Sequence, residues 1–177
     1  DHAPCGLGIQ RRQNSAYGHD LRQSGGFFAG KNKERGERAM IIMGIDFGDA
    51  RMGIAFCDEE ERMAFAKETV KVTSLDQAAE EAVLKAKEEG ARLLVVGMPR
   101  NMDGSLGPRA EKTWRFIALL QSKCELPVET VDERLTTMAA HTLLHEAGIK
   151  KGRSKGVVDA LAAKLILESF MKRYKRE

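Results

Sequence analysis

Cysteine is scarce in this sequence. Its 177 residues include three, Cys5, Cys57 and Cys124. They form neither a CxxC pair nor the spacing of a zinc site, which argues against a disulfide framework and against structural zinc. Unpaired thiols are typical of a reducing compartment, so we expect a cytoplasmic protein.

Long apolar runs are also missing. None approaches the roughly 18–20 residues that a membrane-spanning helix needs, so we expect no membrane association. The composition, 42% hydrophobic and 31% charged, is that of an ordinary globular protein. A chain of this length suits one domain, or one domain with a tail, and can bury a real core.

Histidine is rare as well, with four residues in the chain. Two of them, His141 and His145, are spaced for one face of a helix, but no third ligand stands at an obvious spacing. We therefore interpret this pair as part of a helix surface rather than as a zinc site.

Positive charge is concentrated at the two ends of the chain. Residues 1–39 hold seven Lys/Arg against four Asp/Glu, and residues 150–177 hold nine against three. The C-terminal excess indicates either a polyanionic partner or simply a solvated helix face. Residues 1–39 also contain seven glycines and no apolar periodicity. We interpret them as a disordered leader or an artefact of start-site choice, with an amphipathic targeting segment as the weaker alternative, and we place the folded domain at 40–177.

The periodicity from residue 40 onward alternates between strands and helices. Apolar runs predict strands at 40–46, 52–57, 63–72, 92–98 and 126–131. Ser74, Gly90, Pro108 and Gly148 mark helix ends, which predicts helices at about 74–89, 108–124, 136–147 and 157–174. The order βββ-α-β-α-β-α-α predicts an α/β fold whose mixed five-stranded sheet has three antiparallel strands, then two parallel ones, with flanking helices.

Acidic residues stand where these predicted elements begin or end. Asp46 ends the first strand, Asp132 and Glu133 follow the last, and Asp159 lies in the first turn of the final helix. Function in α/β sheets gathers at the carboxyl ends of strands, so these carboxylates could converge there. Their repulsion would raise a pKa, and Mg²⁺ (or Mn²⁺) would relieve it while also contacting substrate phosphates.

Each acid also has a purely structural interpretation. Asp159 could interact with the helix dipole, Asp46 could form an Asx turn, and Asp132 could pair with Arg134. Asp103 could serve only its Asn-x-Asp-Gly turn. The spacing alone leaves these alternatives open.

Four segments, "GIDFGDARMGIAFCD", "VVGMPRNMDGSLGPRAEK", "DERLTT" and "VVDALAAKLIL", occur in this order. Together they strongly resemble the YqgF/RuvX family of pre-16S rRNA nucleases and Holliday-junction resolvase-like proteins, over about residues 41–171. The resemblance implies an RNase H-like fold and a metal-dependent endonuclease. It also implies that the acids holding the catalytic metal are Asp46, Glu133 and Asp159.

Other residues receive roles from the same resemblance. Asp132 would be a supporting acid, while Arg134 and the loop 97–104, with Asn101, would lie on the substrate side. Arg153 and Lys155 match the basic stretch before the last helix, and we infer that such cations contact phosphates. Position 49 departs from the pattern, because it is Asp where many relatives have Thr.

The resemblance implies processing of the 5′ end of pre-16S rRNA as the leading function. Cleavage of four-way DNA junctions is the alternative within the same class, so the partner is structured RNA or branched DNA, bound by a monomer or a homodimer. A catalytically silent nucleic-acid-binding module is the alternative of another class. "GIDFG" also resembles the first phosphate loop of sugar kinases and actin-like proteins, but those need two such domains.

Overall fold

The computed structural model describes residues 40–134 and 155–174. Its five strands are β1 (Ile42–Phe47), β2 (Arg51–Cys57), β3 (Ala64–Lys71), β4 (Leu93–Met98) and β5 (Val128–Asp132). Its helices are α1 (Leu75–Glu88), α2 (Pro108–Lys123) and α3 (Lys155–Tyr174).

All five strands form one sheet in the order β3-β2-β1-β4-β5. Strands β1, β2 and β3 pair in antiparallel fashion, whereas β4 is parallel to β1 and β5 is parallel to β4. The predicted fold class and strand arrangement are therefore confirmed. The helix predicted at 136–147, with its His pair, lies outside the described residues.

The predicted helix signals work as expected at α1 and α2. The Ser74 hydroxyl oxygen accepts a hydrogen bond from the Gln77 backbone N–H at 3.2 Å, which caps α1. Gly90 follows that helix with φ +69°, a left-handed conformation that glycine adopts without strain. Pro108 opens α2, where its missing N–H would have no helical partner in any case.

The two faces of the sheet bury separate apolar clusters. One face packs on α1 and α2 and includes Leu94 and Val96 of β4, together with the stacked rings of Phe47 and Phe116, whose centroids are 4.3 Å apart. The other face packs on α3 and includes Leu93. Side chains alternate along a strand, so β4 is apolar throughout because both of its faces are covered.

Helix α3 lies directly against backbone of the sheet. A Cβ atom added to Gly53 of β2 would come 1.9 Å from the Asp159 carbonyl oxygen. A Cβ atom at Gly44 of β1 would meet the Ala163 carbonyl oxygen at 2.8 Å. These strand glycines therefore set the height at which α3 crosses the sheet.

The start of α3 corrects one expectation. The helix begins at Lys155, two residues earlier than predicted, and no acidic residue lies in its first turn. Asp159 is thus beyond the turn where the helix dipole acts most strongly, so the dipole interpretation of its position is wrong. No helix within the described ranges is long and apolar enough to cross a membrane. Both described cysteines, Cys57 and Cys124, are free thiols, as predicted.

Candidate active site

Asp46 lies at the end of β1, as its penultimate residue. It pairs with Gly53 of the neighbouring strand, and Gly53 is the residue that α3 touches at Asp159. Side-chain alternation places Asp46 on the same face as Ile42, which packs in the α3 cluster. The fold therefore brings Asp46 beside the Asp159 segment of α3, across a glycine that leaves room for both.

The environment of Asp46 disfavours its charge. Burial and the nearby Asp159 carboxylate raise the pKa of Asp46 from 3.8 to about 6, although the Arg109 guanidinium opposes this change. A carboxyl group that loses water and gains a like charge is harder to ionise. The repulsion predicted from the sequence is thus present between these two residues.

Glu133 follows β5, the edge strand next to β4, and its side chain lies on the same face of the sheet as α3. Its backbone N–H donates a hydrogen bond to the Met98 carbonyl oxygen at 3.2 Å, which holds the segment after β5 against β4. Its side chain lies over Gly97, where an added Cβ atom would come 2.7 Å from Glu133 Oε1. Burial and the charge of Asp46 raise the pKa of Glu133 from 4.5 to about 7.

Asp159 is held by a cation that the sequence did not identify. The Arg51 Nε atom donates to Asp159 Oδ2 at 2.7 Å. Arg51 is the first residue of β2 and follows the β1–β2 turn. Its side chain therefore reaches the α3 carboxylate from the edge of the sheet where β1 ends.

These three acids fit a hard divalent cation in their chemistry. All are oxygen donors, and the charge of Asp46 repels both of the others. Within residues 40–134 and 155–174, however, no three Asp, Glu, His or Cys side chains are gathered tightly enough to hold a metal ion. Asp159, one of the three predicted ligands, is instead bound to Arg51, which is consistent with the absence of such a group among these residues.

Asp132 has the structural role that the sequence left open. Its Oδ2 atom lies 2.6 Å from Arg134 Nη2, and its Oδ1 atom accepts from the Arg134 backbone N–H at 3.0 Å. The Arg100 guanidinium lies 3.8 Å away on the same carboxylate. These cations lower the pKa of Asp132, with the hydrogen bond from Arg134 as the main cause. Asp132 therefore orients Arg134.

The loop after β4 is organised by its own side chains. Asp103 Oδ1 accepts from the Ser105 backbone N–H at 2.9 Å, which is the turn interpretation of this acid. Asn101 Nδ2 donates to Ser105 Oγ at 2.8 Å, and both residues are exposed. Arg134 lies beside this loop, since its Nη1 atom is 3.5 Å from the Cβ position of Gly104. Arg134 thus lies beside the loop that contains Asn101, the other residue predicted for the substrate side.

Position 49 and Arg109 complete the surroundings. Asp49 is exposed and pairs with Lys112 Nζ at 2.7 Å, so in this structure it serves an ion pair with α2. Arg109, an exposed residue in the first turn of α2, lowers the pKa of both Asp46 and Glu133. Its charge therefore acts on the acids, although no sequence signal indicated this role.

Arg153 lies outside the described residues, and the structure describes only the backbone of Lys155 as the start of α3.

The fold and the acids define a class of protein. A mixed five-stranded sheet of this order, covered by helices on both faces, is an RNase H-like fold. The structure of Thermus thermophilus RuvC in complex with a Holliday junction substrate superposes with a TM-score of 0.52 at 17% identity. The match covers 77% of this chain and 96% of that one, and it shows the shared fold.

Sequence comparison gives the family. The profile described as "RuvX: Holliday junction resolvase" matches residues 40–173. A protein of Halothermothrix orenii named "Putative pre-16S rRNA nuclease" is 41% identical over 132 residues, which cover 75% of this chain and 94% of the relative. A protein of the same name from Acetivibrio thermocellus is 43% identical over 134 residues, covering 75% and 95%. The chain belongs to the RuvX family.

Proposed function

We propose that this RuvX-family chain is a metal-dependent endonuclease and that Asp46, Glu133 and Asp159 are its catalytic acids. The observation that carries the proposal is the approach of two partly buried carboxyl groups, Asp46 and Glu133, to each other and of Asp46 to the Asp159 segment of α3, with the pKa of both carboxyl groups raised. Such an arrangement destabilises the fold, and carboxyl groups perturbed in this way are typical of functional sites. The relatives named as nucleases support the same activity.

The same three residues would hold Mg²⁺ or Mn²⁺. A divalent cation bound to them would neutralise the carboxylates and supply Lewis-acid activation of the phosphodiester and of water. The chain's own contribution is to fix the three carboxylates on separate elements, β1, the segment after β5, and α3. We place the nuclease domain at 40–177, and the family profile over residues 40–173 supports this range.

Cations around the acids would bind the nucleic-acid backbone. Arg109 faces Asp46 and Glu133 from α2, and Arg134 is oriented by Asp132 beside the loop that contains Asn101. Arg153 and Lys155, which match the basic stretch before the last helix in the family, would also contact phosphates. Guanidinium groups next to the acids would hold a phosphate near them and neutralise its charge without reading sequence.

The proposed substrate is the 5′ end of pre-16S rRNA, which is the substrate class in the names of the relatives. A four-way DNA junction is the second candidate, because the family description names Holliday junctions. Resolvases cut two symmetric strands, so a stable homodimer would favour the junction and a monomer would favour rRNA.

A cleavage assay with Mg²⁺ or Mn²⁺ tests the proposal. Precursor-rRNA fragments and four-way DNA junctions are offered to the same protein preparation, with Asp46→Asn as the inactive reference. We expect metal-dependent cleavage of the precursor near its 5′ end and none by the variant. Binding without cleavage of either nucleic acid would identify a silent RNase H-like module instead, and cleavage of the junction alone would reassign the substrate.

Arg109 gives a second prediction. Arg109→Met should weaken binding of RNA and of junction DNA by a similar factor of about tenfold, because a phosphate contact carries no base information. The slope of log affinity against log salt should fall by about one. Arg115→Met is the matched control, since Arg115 is another exposed arginine of the same helix. Fluorescence anisotropy at several salt concentrations measures both, and equal slopes for the two variants would contradict the contact.

A further inference from the structure

The ion pair between Arg51 and Asp159 joins the proposed site to the sheet edge. Arg51 Nε and Asp159 Oδ2 are 2.7 Å apart, and their side chains retain 38% and 24% of their exposure. The pair is thus partly open to solvent, so another cation could replace Arg51 at the Asp159 carboxylate without opening the core.

The backbone on both sides of this pair is fixed. The Arg51 carbonyl oxygen accepts a hydrogen bond from the Gly48 N–H at 2.9 Å, which closes the β1–β2 turn. On the other side, the Asp159 backbone rests on Gly53, and the Gly156 carbonyl oxygen accepts from the Thr69 hydroxyl. Asp159 can therefore change partner only by rotating its side chain, which takes no movement of the helix.

The Asp159 carboxylate interacts both with Asp46 and with Arg51. Its charge raises the pKa of Asp46, so it lies near that acid, while its Oδ2 atom accepts a hydrogen bond from Arg51. A guanidinium in this position neutralises one of the charges that would otherwise repel each other. It also competes with any other cation for the same carboxylate oxygen.

We propose that Arg51 is a positioning residue that holds Asp159 while no metal ion is bound and releases it when one binds. This inference rests on the proposed function, in which Asp159 is a metal ligand. Arg51 stabilises the metal-free protein and, for the same reason, weakens the first binding of the divalent cation. Exchange of one cation for another keeps Asp159 neutralised in both states.

The proposal predicts the sign of a metal-affinity change. Arg51→Met should bind Mn²⁺ about tenfold more tightly than the unsubstituted protein, because a positive charge a few ångströms from a divalent ion opposes its binding even in a largely aqueous environment. Arg51→Lys should remain close to the unsubstituted protein, since it keeps the charge. A residue with only a structural role would weaken metal binding when replaced.

The experiment is a Mn²⁺ titration of the full chain without nucleic acid. Binding is measured by calorimetry and by the decrease in the electron paramagnetic resonance signal of free Mn²⁺. Lys85→Met is the control for removal of a cation, because Lys85 pairs with Glu68 at 3.0 Å in an ion pair between α1 and β3 that includes none of the three acids. Thermal unfolding of every variant verifies that each is folded. Unchanged or weaker Mn²⁺ binding by Arg51→Met, or equal tightening by Lys85→Met, would overturn the proposal.

Asp46→Asn separates this inference from the proposed function. If Asp46→Asn loses Mn²⁺ binding while Arg51→Met shows no tightening, the metal site stands and the role of Arg51 is wrong. If Asp46→Asn binds Mn²⁺ as well as the unsubstituted protein does, the proposed metal site is itself wrong, and the inference falls with it.

Discussion

Asp46→Asn should abolish nucleic-acid cleavage and at the same time make the protein more stable at pH 8. Both effects follow from the loss of one negative charge, that of a partly buried carboxylate beside Asp159 and Glu133. Asparagine keeps the shape of the side chain but carries no charge. It therefore removes the repulsion together with the proposed metal ligand.

The loss of activity should be large. A carboxylate that binds the metal contributes both affinity and the position of the ion, and we expect cleavage to fall by at least about 10³-fold. Binding of nucleic acid should change much less, because Arg109 and Arg134 remain in place. Single-turnover cleavage and anisotropy, measured on the same preparation, separate the two quantities.

The gain in stability should depend on pH in a defined direction. The folded state raises the pKa of Asp46 from 3.8 to about 6, so it binds this proton more tightly than the unfolded chain does. The free energy of unfolding therefore falls as pH rises through this interval. A change of this size corresponds to about 3 kcal/mol, since one pKa unit is about 1.4 kcal/mol. Asparagine cannot ionise and avoids this loss.

Urea unfolding at pH 4 and pH 8 tests this prediction without added metal. The variant and the unsubstituted protein should be similar at pH 4, and the variant should be more stable by up to about 3 kcal/mol at pH 8. Asp49→Asn is the matched control, because Asp49 is exposed and its pKa is lowered by the hydrogen bond from Lys112. A variant that is less stable than the unsubstituted protein at pH 8 would show that the Asp46 charge is already compensated.

The sequence predicted the elements well because each carries local signals. The apolar runs, the Ser74 cap and the Gly90 stop depend on residues within a few positions of one another. The change from antiparallel to parallel pairing followed from the short turns between the first three strands and the helices between the later ones. The start of α3 was placed too late, since Lys155 and Gly156 carry no apolar signal.

The contacts of the site were harder to predict because they join distant segments. Arg51 and Asp159 are 108 positions apart, and no spacing rule links them. Arg109 sits in a motif that was already recognised, but only the fold turns it toward the acids. Gly53 and Gly97 did carry a usable signal, because a glycine within an apolar strand often marks a close approach of other atoms.

Gly53→Ala should be among the most disruptive small substitutions in the domain. A Cβ atom at this position would lie 1.9 Å from the Asp159 carbonyl oxygen and 2.9 Å from the Ala160 nitrogen. Both are backbone atoms of α3, so no side chain can turn aside to make room. The helix must move away from β2, and its packing on the sheet must loosen.

We expect a loss of about 2–4 kcal/mol in the free energy of unfolding, which is the range for overpacking that forces backbone to shift. Cleavage should fall by about 10²-fold or more even where the protein remains folded, because a displacement of about 1 Å at Asp159 separates it from Asp46 and Glu133. Urea unfolding gives the first quantity, and single-turnover cleavage below the unfolding transition gives the second.

Gly156→Ala provides a control for stability in the same helix. Its added Cβ atom would lie 3.7 Å from the nearest atom, Thr69 Cβ, which is ordinary contact. Alanine favours a helix over glycine by up to about 1 kcal/mol, so this variant should be unchanged or slightly more stable. Opposite signs for the two glycine substitutions would support a close approach of α3 at Gly53. Equal, small effects would mean that the helix lies farther from β2 than 1.9 Å implies, and the Asp46–Asp159 proximity would lose its structural basis.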